Sequence, residues 1–289
     1  MPFRHLHPDD PSGSVEYMTS AASSSALVGV SLSLAGRTAL ITGGSRGIGA
    51  ATVRLFRQAG ARVVFSYNSA TETALALSEE LGGPDLCLPI HQALNSVEDG
   101  QALIAAAVAA LGKLDCLVVN HGVWPSHDAP IGSMSNDQWR TTLGINLDSV
   151  FGLVQAATAQ MQSQRHDPSS PRGHIVLVAS TAAQRGEAFH ADYAASKGAL
   201  LSFTKSLSSE LAPIGILCNC VAPGWVATEM SAAALNDPET SKKVMSLIPL
   251  GRAADPNEIA GPILFLCTPL AGFISGEIFN VNGGAVLVG

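Results

Sequence analysis

The stretch that decides the fold is Thr38-Ala39-Leu40-Ile41-Thr42-Gly43-Gly44-Ser45-Arg46-Gly47-Ile48-Gly49-Ala50-Ala51-Thr52-Val53-Arg54-Leu55-Phe56. Its opening residues form a short apolar run of the kind that makes a buried strand. A glycine-rich turn follows, then apolar residues at helical spacing, so the stretch reads as strand, tight turn and amphipathic helix. Glycine permits the turn and lets the backbone come close to a ligand. Free N–H groups and the dipole at the helix start favour an anion such as a pyrophosphate. The spacing is Gly-x-x-x-Gly-x-Gly, which differs from the Gly-x-Gly-x-x-Gly of the general dinucleotide turn. Either pattern alone is equally consistent with a turn that holds no ligand.

Outward from this stretch, strand-like and helix-like segments alternate. Further strands are expected at residues 62–66, 85–90, 116–120, 174–180, 216–222 and 278–282. Helices are expected at 47–58, 70–81, 97–111, 136–164, 193–211 and 256–267. Continuously apolar strands alternating with helices predict an α/β fold, a single doubly wound domain whose seven-stranded parallel sheet is flanked by helices. Ligands then belong at the carboxyl ends of the strands. Residues 165–173, with Pro168, Ser169, Ser170 and Pro171, read as a lengthened surface loop.

The chain has 289 residues, 47% hydrophobic and 13% charged, which is ample for one core. A net charge of −7 leaves no basic footprint for nucleic acid. No segment approaches the ~18 apolar residues of a membrane span. The cysteines Cys87, Cys116, Cys218, Cys220 and Cys267 form no Cys-x-x-Cys pair; they read as reduced, in a cytoplasmic protein. The histidines show no ligand spacing, so no metal is expected. Residues 1–33, rich in Ser and Ala with Pro2, Pro8 and Pro11, read as a disordered extension ahead of a domain at 34–289. Arg4 against Asp9, Asp10 and Glu16 argues against a transit peptide.

Tyr193 and Lys197 stand four apart in Tyr193-Ala194-Ala195-Ser196-Lys197, with Ser180 upstream. On a helix, i and i+4 side chains share a face. An ammonium beside a phenol would favour the phenolate and lower the pKa from its usual value near ~10. Such a phenol can give a proton to a carbonyl oxygen or take one from an alcohol. An isolated pair of this spacing is usually a surface pair; the glycine turn is what changes the reading.

Together these pieces resemble the short-chain dehydrogenase/reductase family in its single-domain form. The resemblance rests on the residues from Thr42 to Gly49, Asn120-His121-Gly122, Asn146, Ser180, Tyr193 with Lys197, Pro223-Gly224 and Asn282-Gly283-Gly284, in the family's order. It implies a Rossmann-type domain and hydride transfer between a nicotinamide dinucleotide and a carbonyl or secondary alcohol. Tyr193 is implied as the general acid in reduction. Lys197 would lower its pKa and bind the nicotinamide ribose. Ser180 would donate to the substrate oxygen, and Asn146 would hold a helix kink and a relay water. Cofactor contacts are implied at Gly43, Ser45, Arg46, Gly47, Ile48, Gly49, Asn120, Gly122, Pro223, Gly224, Val226 and Thr228, beside Tyr193 and Lys197. His121 stands where Ala is usual; it is expected to be a satisfied neighbour without a catalytic role. Gln92-Ala93-Leu94-Asn95 lacks the Asp often found after strand three, so the adenine contact falls to backbone or to Asn95.

The nucleotide is expected to be NADP(H). A NAD-type site carries an acid at the end of strand two, and the chain offers Tyr67, Asn68 and Ser69 there. Arg46, inside the turn, can bind a 2′-phosphate through a charge-assisted fork. The substrate lid is expected at 229–251, mobile and mildly apolar, which implies a small or medium carbonyl compound. Trp124, Pro125 and Trp225 are either its walls or ordinary packing. The layout resembles 3-oxoacyl-[acyl-carrier-protein] reductases, secondary-metabolite ketoreductases and sugar or polyol dehydrogenases alike. Carrier-protein reductases often place basic residues near the pocket mouth, and Ser206-Leu207-Ser208-Ser209-Glu210 has none. The alternative of another class is a non-catalytic dinucleotide sensor or scaffold; it would lack Ser180, Tyr193 or Lys197, and all three are present. Ala156, Ala157, Ala159, Ala194, Ala195 and Ala199 allow close approach of the two long helices to their copies, so a homotetramer is expected, with a dimer as runner-up.

Overall fold

The computed structural model describes residues 31–287. Along them run β1 (Thr38–Ile41), α1 (Gly47–Gln58), β2 (Arg62–Tyr67), α2 (Thr71–Glu80), β3 (Cys87–His91), α3 (Val97–Leu111), β4 (Cys116–Val119), α4 (Asn136–Leu143), α5 (Ser149–Ser163), β5 (Gly173–Val178), α6 (Ala182–Arg185), α7 (Ala191–Leu211), β6 (Ile216–Pro223), α8 (Ala232–Asn236), α9 (Pro238–Ser246), α10 (Pro256–Leu266) and β7 (Ile278–Val281). All seven strands pair in parallel in the order β3-β2-β1-β4-β5-β6-β7. The order reverses between β1 and β4, which opens a crevice above their carboxyl ends.

Alternation along each strand sends side chains to two core layers. Ile41, Phe65, Val118, Val176 and Val221 pack with α1 and α10 on one face. Leu40, Val64, Leu117, Ile175 and Cys220 pack with α3, α5 and α7 on the other. Every residue of β5 and β6 is buried, so these strands are mostly apolar, interrupted by His174 and Asn219, rather than alternating. Between α3 and α5 the backbones touch: a Cβ on Gly152 would fall 2.0 Å from the Val97 carbonyl oxygen.

Local chemistry sets the helix ends. The Ser96 and Ser135 hydroxyls accept from the N–H groups of Asp99 and Gln138 to cap α3 and α4. Asp255 and Glu258 form a capping box that starts α10. Gly112, at φ 79, closes α3 in the left-handed region.

The helix expected at 136–164 is α4 and α5 joined by a π-helical turn, Gly144–Asp148. Such a turn holds an extra residue and bends the helix. Strand two runs one residue further than expected, through Tyr67, because its ladder with β3 continues to His91. The expected lid is not a plain loop: it holds α8 and α9, the latter capped by Asp237. Backbone bonds from Ala227 to Ala254 and from Ala254 to Trp225, each 2.9 Å, tie its two ends together. The expected disordered extension lies, through residue 30, outside the described residues. Leu34 is buried, and Leu32 packs against the same core layer.

Candidate active site

The glycine turn is held from both sides. Gly44 N–H donates to the Ser66 carbonyl at 2.8 Å, and its missing side chain makes room for the Phe65 ring. Asn120 Nδ2 donates to the carbonyls of Thr42 and Gly43, at 3.1 and 3.2 Å. A Cβ on Gly49 would lie 2.0 Å from the Gly43 oxygen and 2.7 Å from Asn120 Nδ2. Gly47 takes φ 53, which glycine adopts without strain. No side chain caps α1, and its first turn holds no acid. Its leading N–H groups therefore face a cradle suited to the pyrophosphate of a dinucleotide.

Ser45 is buried in this turn, and Ile48 packs partly buried on the core. Arg46 is exposed, and its guanidinium forms no ion pair among the described residues. Tyr67, expected beside the ribose, instead packs into the core with its ring 5.4 Å from that of His91. Its sequence neighbours Asn68 and Ser69 are exposed at the end of β2.

His121 latches the turn to the π-helical bend. Thr42 Oγ1 accepts from the N–H of Asn120 and of His121 and lies 2.8 Å from His121 Nδ1. The opposite nitrogen, Nε2, lies 2.8 Å from Ser149 Oγ, which donates onward to the Ile145 carbonyl. Burial, with the nearby Lys197 ammonium, pushes this imidazole down to about 3. It is neutral, with Nδ1 accepting and Nε2–H donating, and its hydrogen-bonding capacity is spent.

Ser180 follows the end of β5, and Tyr193 and Lys197 lie one turn apart on α7. Lys197 Nζ donates to the Val178 carbonyl at 2.9 Å and lies 6.0 Å from the Tyr193 ring centroid. Tyr193 is 8% exposed and Lys197 4%. Burial pushes the phenol up to about 12, with the adjacent Ser180 hydroxyl pulling it back. Burial also pushes the Lys197 amine down to about 8. Desolvation is the largest cause at both groups, and it disfavours the phenolate and the ammonium alike.

Asn146 sits inside the π-helical turn, as the expected kink requires. Its Oδ1 accepts from Val123 N–H at 2.8 Å, and its Nδ2 donates to the Val123 carbonyl and to Ser196 Oγ. Ser196 Oγ in turn donates to the Tyr193 carbonyl at 2.8 Å. Gly122 fits between the two: its absent Cβ would lie 3.1 Å from Asn146 Oδ1 and 3.2 Å from Lys197 Nζ.

β6 ends at Pro223, and Gly224 follows it. Gly224 N–H donates to Val281 at 3.0 Å, and its bare Cα lets Asn282 approach. Val226 is buried. Thr228 lands on the glycine turn, its methyl 3.0 Å from where a Gly47 Cβ would stand, with the Glu229 carboxylate 3.8 Å from the same point. Residues at or after the ends of β1, β4, β5 and β6 thus come into contact with one another or with Lys197.

An aromatic pair of Trp124 and His190, the second missed by sequence reasoning, stands beside Tyr193. The Trp124 ring meets Tyr193 edge-on at 4.6 Å and stacks on His190 at 4.1 Å. His190 Nε2 lies 3.1 Å from the Pro125 carbonyl. Trp124 was legible as a candidate wall; His190 carried no signal, because its partners are brought by a different loop.

The family model described as Enoyl-(Acyl carrier protein) reductase matches residues 43–286. The L-rhamnose 1-dehydrogenase (NAD(P)(+)) of Azotobacter vinelandii is 37% identical over 254 residues, 86% of this chain and 96% of that protein. The 3-oxoacyl-[acyl-carrier-protein] reductase FabG of Vibrio harveyi is 36% identical, over 89% of this chain and 100% of its own. A solved putative gluconate 5-dehydrogenase from Beutenbergia cavernae, with bound NADP, superposes with a TM-score of 0.80 at 33% identity, over 89% of this chain and 99% of that one. With matches of this length joined to the glycine turn and the Ser180, Tyr193 and Lys197 constellation, the chain is an oxidoreductase of the short-chain dehydrogenase/reductase family, whose members act on CH–OH donors with a nicotinamide dinucleotide.

Proposed function

We propose that the protein is an NADPH-dependent carbonyl reductase acting on a small or medium ketone, a ketoreductase of secondary metabolism. The observation that carries this reading is the meeting of Ser180, Tyr193 and Lys197 at the carboxyl end of β5, across the crevice from the uncapped start of α1. When bound, the nicotinamide supplies the hydride. The protein supplies the rest. Tyr193, protonated at neutral pH, gives its proton to the carbonyl oxygen as alkoxide charge develops. Ser180 donates to the same oxygen. Lys197 holds the ribose hydroxyls, and the π-helical turn at Asn146 connects Lys197 to solvent through water. Glycines 43, 47, 49 and 122 and the segment from Pro223 to Thr228 hold the dinucleotide.

Preference for NADPH is supported by exposed Arg46 in the turn, in no ion pair among the described residues, and by the lack of an acid after β2. The relative that acts on rhamnose and the one that acts on carrier-bound acyl groups mark the alternatives. Exposed Met230 and Leu247 in the lid support an apolar substrate instead. A homotetramer is supported by Trp139 and Phe151, large apolar residues left exposed along α4 and α5. A cytoplasmic setting is supported by five buried free cysteines.

The test is an absorbance screen at the nicotinamide band, with NADPH and NADH each offered against ketones, quinones, sugars and acyl thioesters. Ketone turnover with NADPH, lost in Tyr193→Phe, is expected. Arg46→Ala should raise KM for NADPH at least tenfold and leave that for NADH within twofold. Equal rates with NADH, or full activity of Tyr193→Phe, refute the assignment.

A further inference from the structure

Phe189 is the one residue other than glycine with positive φ among the described residues, at φ 65. A bulky aromatic rarely takes this conformation, which glycine or asparagine adopts more easily. The turn is nonetheless firmly held. Phe189 accepts through its carbonyl from Ala129 N–H at 3.0 Å, in the loop after β4. The next residue, His190, is 6% exposed, stacked on Trp124 and bonded to Pro125. The left-handed turn thus leaves Phe189 52% exposed, beside buried His190 and four residues before Tyr193. A strained backbone that persists beside a reacting group points to a use for the side chain it carries.

We propose that Phe189 is a specificity-determining residue, packing on an aryl or extended apolar group borne by the substrate carbonyl. The inference rests on the carbonyl-reductase reading and narrows it to ketones with a flat or extended apolar substituent. Trp124 joins the turn and the phenol, meeting the Tyr193 ring at 4.6 Å and stacking on His190, the residue next to Phe189. Bringing such a group against Phe189 removes both apolar surfaces from water. A polyol offers no matching surface.

The experiment compares 1-phenylpropane-1,2-dione with butane-2,3-dione, which share a reacting diketone and differ in phenyl against methyl. Wild type, Phe189→Gly, Phe189→Asn and Phe189→Leu are assayed with NADPH, and their Tm values are recorded. The glycine and asparagine variants should raise KM for the phenyl dione about tenfold, with kcat and the methyl dione changed less than twofold. The glycine variant should also melt about 2 °C higher, through relief of the turn. Phe189→Leu should keep most of the phenyl preference without the gain in Tm. Acetophenone titrated calorimetrically into the NADP⁺ complex reads the contact without turnover, and should bind wild type about tenfold tighter than Phe189→Gly. An unchanged phenyl-to-methyl preference, equal acetophenone binding, or a change of oligomeric state in place of a change in KM overturns the proposal. Failure of the underlying reading shows differently, as dione reduction that survives Tyr193→Phe.

Discussion

Gly49→Ala tests whether the turn that receives the dinucleotide is packed as described. The new methyl would stand 2.0 Å from the Gly43 oxygen, so the two must part by about 1 Å to reach even 3.0 Å, a separation real Cβ contacts essentially never undercut. Overpacking of this kind costs about 1–3 kcal/mol. Moving Gly43 also breaks the grip of Asn120 Nδ2 on two carbonyls, at about 0.5–1.5 kcal/mol per bond. The helix preference of Ala over Gly offsets at most about 1 kcal/mol. The net is a loss of about 1–6 kcal/mol, at roughly 2–4 °C in Tm per kcal/mol for a domain of this size. Gly261→Ala is the matched control: it also lies inside a helix, α10, but nothing stands within 4 Å of its added methyl. There the same substitution should raise Tm by a few degrees. Thermal unfolding with and without NADPH reads both effects. A ligand at one hundred times its Kd adds about 2.7 kcal/mol of stability, and Gly49→Ala should lose that increment while Gly261→Ala keeps it. A Gly49→Ala protein that melts with wild type and still responds to NADPH would show that the turn is not closed by Gly43 and Asn120.

Lys197→Met should be inactive yet more stable than wild type below pH 8. The folded amine loses its proton near 8, the unfolded one near ~10.4, so the unfolded state binds more protons in between. Wild-type stability therefore rises with pH across that window, and the rise should vanish in the variant when urea midpoints are compared. Tyr193 has the opposite sign: held up to about 12 when folded, against ~10 unfolded, it contributes stability that fades as pH climbs from the second value to the first. At the amino end of the sheet, buried Asp115 accepts from Thr38 N–H at 2.8 Å and pairs with Lys113 and Arg37. Asp115→Ala should cost roughly 3 kcal/mol in denaturant unfolding and leave kcat unchanged; a drop in kcat would show that this end communicates with the crevice. Glu229→Gln removes a carboxylate from beside Gly47. NADPH should then bind several-fold tighter, with weaker salt dependence, and unchanged affinity would show that Glu229 turns away when the dinucleotide arrives.

The elements were legible in the sequence because their signals are local. The bounds of α1 and α3 follow from a glycine turn, a Ser96 cap and a left-handed Gly112, and each acts within a few residues. The π-helical turn was not legible as such, since Asn136–Leu143 and Ser149–Ser163 carry one continuous helical pattern. What selects the extra residue is tertiary: Gly144 lies against the Asn95 carbonyl, and Asn146 bonds across to Val123. Tyr67 shows the same limit. Its position at the end of β2 was readable, but its burial against His91 depends on how far the β2–β3 ladder runs. Phe189 and His190 lie in a short connection whose shape is set by the His190 contact to the Pro125 carbonyl and by a hydrogen bond from Ala129 N–H, some sixty residues earlier in the chain. No pattern in their own neighbourhood marks them.

Charge state is the property that residue spacing carries least well. Four residues on a helix bring Tyr193 and Lys197 to one face, and that much was correct. Which form each group adopts depends on what else removes water from it. The Lys197 ammonium finds the Val178 carbonyl, and the phenol finds Ser180 and the edge of Trp124. Each of these neighbours displaces water, and desolvation is the largest cause of the shift at both groups. The outcome suits one direction of the chemistry. A phenol held up to about 12 keeps its proton at neutral pH and can give it to a developing alkoxide. The reverse reaction needs the phenolate, which the same burial disfavours.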